Sequence, residues 1–204
     1  MAGDEVLDRL LRESSREPVK LVDVSGVSCP ACESKSMSVS EYMYSVPFFG
    51  NIVLSVGECS RCGYRYRDVR LAEATEPKKI IVRVEGEEQL RLLVARSPLS
   101  SIFIPEVGLE MIPSRASLGF ITTVEGLLHR FHEVTSLACK EGGGEVDVEK
   151  CRSVLEWLER AIEGYERFTI VICDFDGLSK IVGGREVVEI SVIDEECRSR
   201  EPSL

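Results

Sequence analysis

Two Cys-x2-Cys pairs constrain this chain more than any other feature of its sequence. Cys29 and Cys32 form the first pair, Cys59 and Cys62 form the second, and 26 residues separate the pairs. Each pair can present two thiolates from one tight turn, and two such turns make a tetrahedral set of soft ligands, which suits zinc. The alternatives are two coincidental Cys-x2-Cys spacings or a redox pair, but two such pairs in one short segment favour a metal. We predict one structural zinc ion held by these four cysteines.

A site with four thiolates leaves no open position for water or substrate, so the predicted zinc is structural and does not itself indicate catalysis. Pro30 and Gly63 suit tight turns whose backbone N–H groups face the sulfurs. The loop between the pairs is rich in strand-forming residues and is expected to fold as a hairpin. Such a hairpin is too small to bury a sufficient core, so we expect it to fold only with zinc.

The turn chemistry of Pro47–Asn51 places two adjacent aromatic residues, Phe48 and Phe49, at the tip of this hairpin. One interpretation is that they pack against a second domain. The other is that they form an exposed apolar binding tip. The sequence favours neither.

The net charge of −10 is unevenly distributed, because residues 20–71 carry +1 and the remainder therefore carries −11. An acidic body argues against a broad nucleic-acid footprint. One basic cluster follows the second cysteine pair, at Arg61, Arg65, Arg67 and Arg70. A zinc ion with four thiolates has a net charge of −2, so we favour local charge compensation over a docking patch for this cluster.

The sequence predicts an N-terminal helical extension (1–20), a zinc finger (21–72), a β domain (73–197) and a polar, frayed tail (198–204). Short strands separated by Gly and Pro in the β domain suit an antiparallel barrel or sandwich. The expected strands are 80–84, 90–95, 101–104, 109–112, 168–173, 179–182 and 187–192. Gly183 and Gly184 predict a hairpin that joins the last two strands.

A helical hairpin interrupts this pattern at about 122–164. Thr122 and Glu125 have the spacing of a capping box, and the first helix is expected to end near Gly142–Gly144. Asp147 is the expected N-cap of the second helix, and Gly164 its C-cap residue.

Other reactive constellations are weak. His129 and His132 lie three apart on the first helix and are interpreted as surface residues. Residues 174–177 (DFDG) favour a β-turn over a cation loop, because further ligands are missing. Cys139, Cys151, Cys173 and Cys197 show no pair spacing. No apolar run reaches membrane-span length, and the N-terminus is too charged for a signal peptide. We therefore expect reduced thiols and a cytoplasmic protein.

Several motifs occur in order along the chain. The finger carries CPxC, a PFF tip and ECxxCGYR, and the rest carries IPE, TTVEGL and DxDG, at 29–32, 47–49, 58–65, 104–106, 122–127 and 174–177. By these motifs the chain resembles the ZPR-type zinc-finger family over roughly residues 25–193, and looks like a single-module, archaeal-like member. Phe175 and Leu178 depart from the family's last motif, which has proline and asparagine there.

The resemblance implies a mainly β fold with α: a zinc-ribbon-like finger and a jelly-roll-like antiparallel β domain with an inserted helical hairpin. It also implies a non-enzymatic protein that binds translation elongation factor one alpha and assists the folding of that GTPase. Aromatic and arginine residues are the usual interface anchors. The expected partner-binding residues are Phe48, Phe49, Arg61, Tyr64, Arg65 and Arg67. The alternatives are a zinc-ribbon nucleic-acid-binding protein, and an enzyme that uses the jelly-roll cavity.

Overall fold

A computed structural model describes residues 18–114, 117–141 and 147–202 of the chain. Two predictions fall outside these residues: the N-terminal helix, and the end of the first hairpin helix near Gly142–Gly144.

The finger is a four-stranded antiparallel meander in which each strand pairs with the next. Its last strand was not predicted from the sequence, because the arginines at its alternating positions were interpreted as a basic cluster. Gly57 lies under Tyr66, whose ring leaves no room for a side chain at position 57. The strands are β1 (Val19–Val27), β2 (Met37–Val46), β3 (Gly50–Cys59) and β4 (Arg65–Leu71).

Two further antiparallel sheets form the β domain. The larger has five strands in the order β12-β5-β10-β7-β8, and the smaller has three in the order β11-β6-β9. The larger sheet comprises β5 (Lys78–Val84), β7 (Ser101–Ile104), β8 (Leu109–Met111), β10 (Phe168–Asp174) and β12 (Val188–Ser191). The smaller comprises β6 (Leu93–Arg96), β9 (Phe120–Thr123) and β11 (Lys180–Val182). The predicted mainly β fold is confirmed.

Helices cover the core of this domain. The short α1 (Glu87–Leu90) occupies the start of a segment predicted as strand, and β6 begins only after it. The inserted hairpin consists of α2 (Val124–Glu141) and α3 (Val148–Ile162). The apolar stripes of both helices are buried with the larger sheet, through Leu127, Leu128, Phe131, Leu158 and Ala161. A 3-10 turn spans Pro105–Val107.

Both hairpin helices use side-chain caps. The Asp147 carboxylate accepts hydrogen bonds from the backbone N–H groups of Glu149 and Lys150, as predicted. At the start of α2, the hydroxyl of Thr123 rather than Thr122 accepts from the Gly126 backbone N–H, at 3.0 Å. The prediction was one residue too early because β9 continues through Thr123.

The predicted hairpin at Gly183 and Gly184 is wrong. β11 pairs with β6 and β12 pairs with β5, so the two strands that this turn joins belong to different sheets. Both glycines have positive φ and lie against the side chain of Leu92. They form a corner that passes the chain between sheets, and short-range sequence cannot distinguish such a corner from a tight turn.

The predicted reduced state of the last four cysteines is also wrong. Cys139 is bonded to Cys151 across the helical hairpin, and Cys173 of β10 is bonded to Cys197. The second bond anchors α4 (Glu195–Arg198), so the tail predicted as frayed is packed at least to residue 200. The guanidinium of Arg200 lies 4.0 Å from the ring of Phe103. Pairing depends on contacts 12 and 24 residues apart in sequence, which spacing alone does not reveal.

The turn after β10 holds the segment that links the finger to the β domain. The backbone N–H of Thr75 donates to the Gly177 carbonyl at 2.9 Å. Behind this contact the fully buried carboxylate of Asp174 accepts from the Ser179 backbone N–H and lies 3.3 Å from the Lys78 ammonium. Burial raises the pKa of Asp174 above its ordinary value. The DFDG segment is a turn, and its contacts position the linker.

Replacing Gly177 by alanine tests this contact. Gly177 has φ 71°, and a Cβ there would lie 1.8 Å from the Thr75 carbonyl oxygen. We expect a loss of about 3 kcal/mol in the free energy of unfolding, combining left-handed strain with a backbone clash. The matched control is Gly108→Ala, since Gly108 has φ 64° and open space around it, and should cost only about 1 kcal/mol. Equal losses in urea unfolding would refute the role of the contact.

Thiol counting tests the disulfides. After zinc removal and unfolding without reductant, alkylation should modify four of the eight cysteines, and reductant should expose the other four. Mass spectrometry of the peptides identifies the modified set. Eight alkylated cysteines without reductant would show that the bridges do not form.

Candidate metal centre and hairpin tip

The two cysteine pairs sit on equivalent turns. In the first, the Cys29 N–H donates to the Ser34 carbonyl and the Glu33 N–H donates to the Cys29 carbonyl. In the second, Cys59 and Gly63 repeat these bonds with the Tyr64 and Cys59 carbonyls. Both turns end in a left-handed residue, with φ 58° at Glu33 and 74° at Gly63. Glycine suits this conformation, so the first turn is the more strained of the two.

The structure brings all four predicted ligands together. Their sulfurs lie within 4.8 Å of one another, with Cys29 Sγ 3.7 Å from Cys62 Sγ and Cys32 Sγ 3.8 Å from Cys59 Sγ. Four thiolates at a Zn–S distance of about 2.3 Å on a tetrahedron stand about 3.8 Å apart. The donor set and spacing fit one zinc ion, which confirms the predicted cofactor.

Backbone N–H groups near these sulfurs favour the thiolate form, which is the form that binds a cation. The N–H groups of Cys62 and Arg61 lower the pKa of the Cys59 thiol to about 6. At Cys62 the Tyr64 N–H favours the thiolate, but the neighbouring thiols raise its pKa to about 12. Four thiolates cannot all ionise beside one another without a positive charge between them. A divalent cation supplies that charge.

Ser34 is a residue that sequence reasoning missed. Its hydroxyl lies 3.1 Å from Cys32 Sγ and contributes to lowering the pKa of that thiol. Its position could have been found from the repeat between the two turns, since Ser34 is five residues after Cys29, as Tyr64 is after Cys59.

The two phenylalanines of the hairpin tip have opposite environments. Phe49 is only 7% exposed and packs with Leu71 of the finger and Ala95 of the β domain. Phe48 is 60% exposed and has φ 68°, which is rare for an aromatic residue. Each interpretation of the tip therefore describes one residue: Phe49 packs on the β domain and Phe48 is presented to solvent.

Polar contacts hold the tip and the finger sheet against the β domain. The Lys180 ammonium donates to the Phe48 carbonyl at 2.8 Å, and the Gly119 N–H donates to the Asp68 carboxylate at 2.6 Å. Neither contact was predicted, because each joins residues far apart in sequence. Together they restrain the backbone from which the Phe48 ring projects.

The arginines of the basic cluster fall into two groups, those that form ion pairs and those that do not. Arg65 pairs with Glu58 at 2.6 Å, and Arg70 pairs with Glu41 at 3.3 Å. Arg61 and Arg67 are exposed and form no ion pair within the described residues. Tyr64 is exposed beside the metal site. A role for these residues in partner binding stays a prediction.

Among the described residues, the four cysteines are the only cluster with metal-binding geometry. His129 Nε2 lies 4.0 Å from a Glu125 carboxylate oxygen, and His132 Nε2 lies 3.7 Å from one of Glu159. Each histidine faces an acidic residue of the helical hairpin, which agrees with the predicted surface role.

Comparison with known proteins decides the family. A model of the ZPR1 zinc-finger domain matches residues 22–77, and a model of the ZPR1 jelly-roll domain matches residues 88–192. The chain belongs to the ZPR1 family. The resemblance stated from the sequence motifs is thereby confirmed, while the domain boundary at 72 and 73 stays a prediction.

Archaeal relatives of the ZPR1 family match the chain over most of their length. An uncharacterised ZPR1-like protein of Pyrococcus horikoshii is 33% identical over 186 residues, 89% of this chain and 83% of that protein. One of Methanocaldococcus jannaschii is 32% identical over 175 residues, 85% of this chain and 87% of that protein. These matches support the predicted single-module organisation.

The zinc finger chaperone of Schizosaccharomyces pombe is 32% identical over 158 residues, 75% of this chain but only 33% of that protein. Its name describes a chaperone, and the absence of enzymatic activity in this chain stays a prediction. No helix among the described residues is long and apolar enough to cross a membrane. A cytoplasmic location stays a prediction.

Replacing Cys59 and Cys62 together by serine tests the metal centre. We expect the bound zinc to fall from one ion per chain to none, and the finger to unfold, because its folding depends on the metal. Elemental analysis measures the zinc, and circular dichroism the finger. Cys139→Ser with Cys151→Ser is the control and should keep one zinc, because this pair is a disulfide outside the site. Zinc retained by the first variant would contradict the assignment.

Proposed function

We propose that this protein is a zinc-dependent, non-enzymatic factor that binds translation elongation factor one alpha and assists its folding. The proposal rests on membership of the ZPR1 family and on the name of one relative, the zinc finger chaperone of Schizosaccharomyces pombe. The observation that carries it is the exposed Phe48 ring, held at the hairpin tip in a strained conformation.

Strain at Phe48 supports a role in binding. A non-glycine residue in the left-handed region costs on the order of 1 kcal/mol or more, and such residues concentrate at binding sites. The side chain does not offset this cost through burial, because most of its surface faces solvent. Contact with a partner would bury the ring and account for its retention at this position.

The exposed residues near the metal site extend this surface. Arg61, Tyr64 and Arg67 lie on or beside the second cysteine turn, and aromatic and arginine side chains are common interface anchors. The net charge of −10 disfavours the nucleic-acid alternative, because a broad footprint on nucleic acid requires a basic face. Zinc would act by holding the two turns in place, with no chemical step of its own.

Phe48→Gly separates binding from stability. Glycine relieves the left-handed strain, so the free energy of unfolding should stay constant or rise by up to about 1 kcal/mol. Capture of the elongation factor should fall at least about tenfold, since a central aromatic anchor is worth 2 kcal/mol or more. Capture is measured by pull-down from native cytosol with zinc-loaded protein, and unfolding by urea titration.

Phe49→Ala is a contrasting variant that tests stability and is no control for binding, because Phe49 orients the tip that carries Phe48. It removes a buried ring and should destabilise the protein by about 3 kcal/mol, through loss of packing rather than of the exposed surface. Undiminished capture by the Phe48→Gly variant would remove the tip from the binding surface. Failure of the wild-type, zinc-loaded protein to recover the elongation factor would overturn the proposed function itself.

A further inference from the structure

An open groove of about 1110 Å³ lies where the finger, the linker and the larger sheet meet. Its floor is apolar and includes Phe49, Leu71 and Ile80, which are all buried. One wall is β12, the edge strand of the five-stranded sheet. The groove therefore combines an apolar floor with an open strand edge.

The outward backbone groups of β12 can be identified from its register. The Arg83 N–H donates to the Val187 carbonyl at 2.9 Å, so positions 187, 189 and 191 direct their backbone groups toward β5. Val188 and Ile190 pair with Val82 and Ile80 at the alternate positions, and their N–H and C=O groups face the open edge. Among the described residues, no strand pairs with this edge.

The side chains of the same alternate positions line the groove. Ile190 is 64% exposed and Val192 is 81% exposed, while Val188 packs against the core. Unpaired backbone N–H and C=O groups beside large apolar side chains form a template for another strand, and natural proteins usually protect such edges with charge or proline. The edge of β12 has neither at these positions.

The charge around the groove selects the kind of partner. Glu73 and Glu76 line it, and neither forms an ion pair within the described residues. Two lysines also line it: Lys78 is paired with Asp174, and Lys180 donates to the neutral Phe48 carbonyl and keeps its charge, so the lining has a small net negative charge. A second copy of this chain would bring a net charge of −10 to the same acidic rim. A basic partner is favoured instead.

We propose that the β12 edge binds an extended apolar segment of an incompletely folded client, which adds as a further strand beside Val188–Ser191. Alternate apolar side chains of the segment enter the groove, and flanking basic residues face Glu73 and Glu76. The inference deepens the proposed chaperone function and rests on it for the identity of the client. Strand addition satisfies the open backbone groups and provides affinity with little dependence on sequence.

The probe is a fluorescent eight-residue peptide that alternates valine or isoleucine with threonine and carries lysine at both ends. Anisotropy should show saturable binding to the wild-type, zinc-loaded protein. A peptide with two of its alternate residues changed to proline should bind at least about tenfold more weakly, because proline has no N–H to donate. A peptide with glutamate at both ends should also bind more weakly than the lysine peptide, and high salt should reduce this difference in affinity.

Ile190→Lys is the blocking variant, because it places a charge on the edge and in the groove. It should weaken peptide binding at least about tenfold. Glu189→Lys is the matched control, since the same side chain is introduced one residue away, on the opposite face of the strand. It should leave affinity within about twofold. Both positions are exposed, and Glu189→Lys breaks only the solvent-exposed ion pair with Arg83, so neither variant is expected to unfold the protein.

Residue-resolved hydrogen exchange locates the bound peptide. The Ile190 N–H faces the open edge and should exchange at least about tenfold more slowly with peptide bound. The Glu189 and Ser191 N–H groups already face β5 and should change little. This alternation is specific to strand addition, because non-specific apolar binding would not follow the backbone.

Several results would overturn the inference: no peptide binding by the wild-type protein, equal binding by the Ile190→Lys variant, or protection elsewhere than β12. A concentration-dependent dimer that Ile190→Lys abolishes would reassign the edge to self-association. Elongation factor captured equally by the wild-type and Ile190→Lys proteins would leave the proposed function intact and remove this surface from it. Peptide binding without capture of the factor would retain the surface and overturn the proposed client.

Discussion

Phe49 lies where the finger meets the β domain, and its buried ring packs against residues of both. This contact orients the finger hairpin, because Phe49 belongs to the turn between β2 and β3. Burying such a ring contributes on the order of 2–3 kcal/mol. The direction of the neighbouring Phe48 ring and the floor of the groove beside β12 both depend on it. One apolar anchor thus positions the two surfaces that we propose for client binding.

The zinc centre acts at the opposite end of the same hairpin. The finger has few fully buried apolar side chains, and its cysteine turns place four sulfurs at zinc-binding distances. A metal therefore replaces the core that so short a meander cannot build. Zinc at one end and Phe49 at the other hold β2 and β3 between two fixed points. In the proposed function, this arrangement would let a closed metal site support binding at a distance without taking part in chemistry.

The remaining stabilising contacts restrain the chain where it passes between units. Gly177 meets the linker at Thr75, and the disulfide of Cys173 and Cys197 anchors the last helix to β10. The acidic turn that contains Gly177 is thus explained by positioning of the linker. Its buried Asp174 faces Lys78, which lines the proposed groove. The linker, the turn and the groove form one connected region.

Sequence alone determined the features that depend on local spacing. The cysteine pairs predicted the metal centre, the apolar periodicity predicted the helical hairpin, and Asp147 predicted its cap. The motifs also predicted the family. Tertiary structure decided what depends on contacts between distant residues: the separate roles of Phe48 and Phe49, both disulfides, the sheet change at Gly183 and Gly184, and the open edge of β12. Local sequence patterns indicate which residues a turn, a helix or a metal site requires. Burial and strand pairing instead depend on which distant segment of the chain packs against each element.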